Sequence, residues 1–159
     1  MKTILTKTTT FILLLAVLVI SCSKKDKLKS DDNYYLTAMV DGLNYSADLV
    51  TANTVLGQTD HYTISGIGNN KNIGLVIENP PSTGTFITGS GETPTLFYQE
   101  ITTTAVVWWP ANEELGSGTI TITENNDTFI AGTFSFTGIL VIDDSTKTIT
   151  EGKFKAKKL

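Results

Sequence analysis

From Ile130 to Ile142 the even positions are Ile130, Gly132, Phe134, Phe136, Gly138, Leu140 and Ile142, while the odd positions include Thr133, Ser135 and Thr137. Side chains on a strand alternate between faces, so this period of two predicts one buried face and one wetter face. Similar alternation, rich in threonine, valine, isoleucine and aromatics, runs from Tyr34 to the end of the chain. Clusters of Gly, Asn, Asp and Pro break it into short runs. No stretch of useful length repeats apolar residues at the helical spacing.

Turn chemistry divides the pattern into hairpins. "YYLTAMVDGLNYSA" predicts one around Asp41-Gly42, a pair that tolerates the positive φ of a type I′ turn. "HYTISGIGNNKNIGLVIENPP" predicts a second around Asn69-Asn70, ended by Pro80-Pro81, which cannot donate to a ladder. "TGTFITG" reads as a short strand, and "TLFYQEITTTAVVWWP" as one or two strands closed by Pro110. The last third predicts three strands with turns at Glu124-Asn125-Asn126-Asp127 and at Asp143-Asp144. In the final strand Ile149 and Phe154 fall out of phase, which predicts a β-bulge near Glu151-Gly152. About nine short strands fit an all-β domain, either an antiparallel sandwich or an up-and-down, barrel-like meander. Breaks near Gly66 and Pro80 leave strands of uneven length, which tilts the reading toward the sandwich.

The N-terminus obeys a different pattern. Met1 to Thr10 carries Lys2 and Lys7 and no acid, Phe11 to Ile20 is an unbroken apolar run, and Ser21 and Cys22 follow. A positive start, a short apolar run and a small-residue junction make up a secretory signal peptide over residues 1–21. The run is too short for a transmembrane span, which needs about 20 apolar residues. Val19, Ile20, Ser21 and Cys22 look like a lipobox, in which the cysteine thiol takes a diacylglycerol before cleavage. The alternative is ordinary cleavage that leaves a free thiol. Acylation gives the chain's one cysteine a purpose, and with no second cysteine the β-domain must hold together by packing alone. Two or three acyl chains would anchor the protein stably to a membrane without a protein span.

Cleavage would leave residues 22–159: a charged tether over 22–33, "CSKKDKLKSDDN", and a single domain over 34–159. The tether is nearly free of large apolar side chains and cannot fill a core. At about 3.3 Å per residue it reaches a few tens of Å. It is either a plain spacer or an export signal, since Lys24-Lys25-Asp26 loosely resembles the sequence that sends Bacteroidetes-type lipoproteins to the outside face of the outer membrane. Loss of Lys2 and Lys7 would move the net charge from −4 to −6, and the chain holds no arginine. Nucleic-acid binding needs clustered positive charge and is not expected.

Candidate chemistry is sparse. His61 is the sole histidine, and no G-x-S-x-G elbow accompanies it, so it reads as a solvated loop residue rather than a catalytic base. A zinc site would need more Cys and His than the chain holds. Asn125-Asn126-Asp127 and Asp143-Asp144 offer oxygens, but they are ordinary turn residues and form no calcium-loop motif. Glu92, Glu100, Glu113, Glu114 and Glu124 could serve a glycosidase only as a pair across a cleft, and they read as solvated charge at loops and strand ends. No metal or cofactor is expected. The aromatic group Phe97, Tyr98, Trp108 and Trp109 is the main lead. Adjacent strand residues face opposite sides, so Trp108 and Trp109 cannot share a core. Thr104 makes the phase of Trp108 the more polar, so Trp108 is expected to be the more exposed.

The order "TAMVDGLNYSA", "YTISG", "PSTGTF", "GSGTITIT", "IAGTFSFTG" and "ITEGKFKA" resembles a domain-of-unknown-function family of small Bacteroidetes lipoproteins, over most of the chain from Thr37 onward. Gly42, Gly84, Gly132 and Gly152 and the core candidates Phe134, Phe136 and Phe154 carry the resemblance. It implies a lipid-anchored β-domain and brings no catalytic residues. The expectation is therefore a non-enzymatic lipoprotein of the outer membrane, facing either side, anchored through Cys22 and binding a glycan or a protein through Trp108, Trp109 and Tyr98. A purely structural envelope component is the alternative, and a hydrolase the third reading.

Overall fold

The computed structural model describes residues 34–55, 58–78, 83–89 and 94–159. The signal-peptide, Cys22, tether and Pro80-Pro81 expectations lie outside these residues. Eleven strands make up the described chain, and no helix occurs among the described residues. They are β1 (Tyr35–Val40), β2 (Leu43–Ser46), β3 (Leu49–Val55), β4 (Gln58–Gly68), β5 (Lys71–Glu78), β6 (Gly84–Ile87), β7 (Thr95–Ile101), β8 (Val106–Ala111), β9 (Ser117–Asn125), β10 (Phe129–Ile139) and β11 (Thr146–Lys158).

All eleven belong to one sheet. Nine follow the path β6-β9-β10-β11-β3-β4-β5-β7-β8, and β1 joins β11 with β2 at its side. The protein is thus all-β, a single curled open sheet and not two separate stacked ones. Every pairing is antiparallel except β11 with β3, which meet in parallel at Lys157 and Lys158. That short contact joins two runs of neighbouring hairpins.

Local sequence explains the corners. Asp41 and Gly42 have φ of 49° and 79°, and Asn69 and Asn70 have 51° and 59°. Both pairs satisfy the type I′ requirement, so each hairpin closes with a two-residue loop. In β10 the phase is as expected: Ile130, Phe134 and Phe136 are buried and Thr133 and Ser135 exposed. The phase does not extend to Ile142. The strand stops at Ile139, and Ile142, in the turn beyond, is 91% exposed. The expected bulge is present. The β10–β11 register shifts between Phe134 and Phe136, opposite Gly152 and Ile149, and Glu151 sits at φ 54°. The β1–β11 register shifts at the same level. One extra residue lets Ile149 and Phe154 both face the interior, each fully buried.

The core fills the concave side with residues such as Leu36, Ile64, Ile73, Leu75, Leu96, Ile120, Ile130, Phe134 and Phe154. The last strand of the path, β8, curls back against β10. There the Trp109 carbonyl comes so near Gly138 that a Cβ would overlap it. Trp109 Nε1 donates to Ser145 Oγ across the same contact, at 3.2 Å.

Candidate functional site

Trp108 stands on β8, and its placement begins with the turn before it. Thr102 Oγ1 accepts from the backbone N–H of Ala105 at 2.9 Å, and Thr102 N–H donates to the Ala105 carbonyl at 2.8 Å. This fixes the β7–β8 register at Gln99 opposite Trp108 and Tyr98 opposite Trp109. Alternation does the rest. Trp109 points inward and is 7% exposed, while Trp108 points outward and is 49% exposed. Pro110 does not close the strand; it lies within β8, opposite Phe97. An edge strand tolerates proline because one side of it needs no donor.

The sheet separates the three residues expected to contact a ligand. Tyr98 is fully buried and packs on Trp109 with ring centres 5.7 Å apart. Both are core residues, and only Trp108 is placed to touch a molecule outside. Trp108 stacks instead on Phe97, at 5.1 Å between centres and 25° between planes. The Phe97 ring lies over Gly74 of β5, where any Cβ would overlap it. The glycine is what lets the ring lie flat on the sheet and carry the indole.

Beside this platform runs an amide relay. Ser65 Oγ donates to Asn72 Oδ1 at 2.9 Å, and Asn72 Nδ2 donates to Gln99 Oε1 at 2.8 Å. Asn72 and Gln99 are 9% and 7% exposed, and they are the two buried polar side chains of the domain among the described residues. The relay ends on Gln99 Oε1, so the two N–H groups of the Gln99 amide are not used within it. Sequence reading missed Ser65, Asn72, Gly74 and Gln99. Their one local signal is a polar or side-chain-free residue inside an apolar run, and its meaning depends on pairings such as Asn72 with Gln99, 27 residues apart.

Paired positions extend the face across five strands. One row reads Leu49, Ile67, Asn72, Gln99, Trp108, and the next Thr51, Ser65, Gly74, Phe97, Pro110. At about 4.8 Å per strand each row is roughly 19 Å long. Strand residues on this side of β3, β4, β5, β7 and β8 carry no charge until His61 and Glu78 at the far end, which pair at 3.1 Å. His61 is therefore a strand residue with a carboxylate partner, not a solvated loop residue.

A second polar group lies where the turns at Asp41-Gly42, Asn69-Asn70 and 102–105 come together. Lys147 Nζ is 2.9 Å from Asp41 Oδ2, 3.9 Å from Glu100 and 5.5 Å above the Trp109 ring. Tyr98 donates to Glu100 at 2.9 Å. Burial raises the pKa of Tyr98, with the Glu100 carboxylate adding to it. Burial likewise raises that of Tyr45, whose hydroxyl donates to the Gly66 carbonyl. The hollow among Asp41, Tyr45, Lys71, Tyr98, Glu100 and Lys147 measures about 70 Å³, room for little more than water. Lys147 is already paired there with Asp41 and Glu100. A shallower hollow of about 460 Å³, around Thr37, Asn44, Asn69, Glu151 and Lys153, adjoins it through Asn44 and Tyr45. The two Asn/Asp turns act as turns: Asn126 Oδ1 accepts from Thr128 N–H and Phe129 N–H, and Asp143 Oδ1 from Ser145 N–H. No cluster of three metal-ligating side chains occurs among the described residues. No described helix is long and apolar enough to cross a membrane.

A family model described as a domain of unknown function, DUF6252, matches residues 32–156, and the chain belongs to that family. No curated protein and no solved structure gave a significant match.

Proposed function

We propose that this DUF6252 member is a lipid-anchored lipoprotein of the bacterial outer membrane, of the small Bacteroidetes type, and that its β-domain is a non-enzymatic binding module. Cys22 carries the lipid, residues 22–33 are the tether, and Lys24-Lys25-Asp26 is the candidate export signal. The observation that carries the binding role is the half-exposed Trp108, stacked on Phe97 in a face of five strands that bears almost no charge. Interface centres are depleted in charge and enriched in aromatics, and a tryptophan held flat gives up little conformational entropy on contact.

The anchor and the module are tested separately. Cys22→Ser moves the protein from the membrane pellet to the soluble fraction; if it stays in the pellet after a high-salt wash, the anchor reading is wrong. The soluble Cys22→Ser chain then co-sediments with purified envelope fragments, and adding Trp108→Ala leaves it in the supernatant while it still melts cooperatively. Equal co-sedimentation of the two chains would favour the structural role.

A further inference from the structure

We infer that the Trp108 face takes an uncharged glycan chain, with Trp108 as the stacking platform and Gln99 and Asn72 as its hydrogen-bonding edge; this rests on the binding role proposed above and names its ligand class. Three observations select that chemistry. First, the indole lies on Phe97 with 25° between planes, and Phe97 lies on Gly74, so the platform is supported from beneath. A pyranose ring has a flat C–H face that covers such a platform, and aromatic faces favour partially positive edges and hydrogens. Second, the neighbouring polar groups are amides and a hydroxyl with fixed orientation. Gln99 and Asn72 are more than nine-tenths buried and held by the relay from Ser65, yet the Gln99 N–H groups are not used in it. Neutral, preoriented donors suit sugar hydroxyls, which both donate and accept, and prior ordering lowers the cost of association. Third, the face lacks charge from Leu49 to Trp108. Sulfated or uronic-acid chains, phosphate groups and nucleic acids all find nothing there to pair with.

The test uses the soluble Cys22→Ser chain on a printed array of neutral oligosaccharides (hexose, pentose and N-acetylhexosamine types) beside sulfated and uronic-acid oligosaccharides. At least one neutral type is bound, with little change from low to high salt. Trp108→Ala and Gln99→Leu each weaken that binding by about tenfold or more, the loss expected for removing one stacking or hydrogen-bonding partner. Thr133→Ala, on the outer side of β10, leaves it unchanged. Binding confined to acidic oligosaccharides, or equal binding by wild type and Trp108→Ala, overturns the inference. A photocrosslinking residue at Val106 in intact cells separates its failure from that of the broader reading. A blank array with a Trp108-dependent protein crosslink sinks the glycan and keeps the binding face. A blank array with no Trp108-dependent crosslink sinks both.

Discussion

Trp108 and Trp109 are adjacent in sequence and have opposite fates. Thr104 was enough to indicate which would be exposed, because a strand passes polarity along at every second residue. Iodide should therefore quench about half of the tryptophan emission of the folded protein, and Trp108→Phe should remove the quenchable part. If iodide quenches the Trp108→Phe protein as well as wild type, the assignment is reversed. The same logic applies in β10. Phe136 is buried and Ser135 exposed. Phe136→Ala should cost about 3–5 kcal/mol, against a typical total stability of about 5–15 kcal/mol, and Ser135→Ala far less. Equal melting temperatures would contradict the core assignment. A third residue, Asp41, adds a pH dependence. The backbone N–H of Thr148, and then Lys147, hold its carboxyl below its usual value of 3.8. A depressed carboxyl adds stability that is fully present above its unfolded pKa and is lost as pH falls through the folded value. The melting-temperature gap between wild type and Asp41→Asn should stay constant above about pH 5 and close below about pH 4. A gap that persists into stronger acid would show that the Asp41 charge is not its source.

Hairpins and bulges were the most legible elements, because their causes are local. Asp41-Gly42 and Asn69-Asn70 carry their backbone geometry in the residue types themselves. The bulge at Glu151 could be read from the broken phase of Ile149 and Phe154. It also yields a sharp test of register. Deleting Glu151 would remove the extra residue and put Ile149, Gly152, Phe154 and Ala156 on one regular alternation, all still facing inward. The deleted protein should keep a cooperative melt, and its loss would mean that the bulge itself, and not the alternation, sets the register. Glu151→Gly should hold or raise stability, since the left-handed conformation costs a non-glycine residue about 1 kcal/mol. Strand β3 was passed over entirely. Within "LVTANTV" Val50 and Ala52 enter the core while Leu49 is exposed, and this short alternation gains its meaning only once β4 and β11 are seen on either side of it.

At the scale of the molecule, the all-β class was legible and the strand order was not. Nothing local in "KAKKL" or "LVTAN" announces that they meet in parallel, yet that contact turns two groups of hairpins into one sheet and rules out a sandwich of separate sheets. The amide relay was hidden for the same reason, since it exists only once β4, β5 and β7 lie side by side. The contact between β8 and β10 has a consequence of its own. No ladder joins these strands; side chains, the close fit at Gly138 and the Trp109–Ser145 bond do. Such a join can part without breaking a backbone hydrogen bond, so it is where the domain should breathe. In deuterium-exchange experiments the amides of β8 should take up label well before those of β10, which is laddered on both sides. A ligand lying across Trp108 would tie β8 to its neighbours and slow that uptake, so the rate of labelling along residues 106–111 becomes a readout of occupancy that needs no knowledge of what is bound.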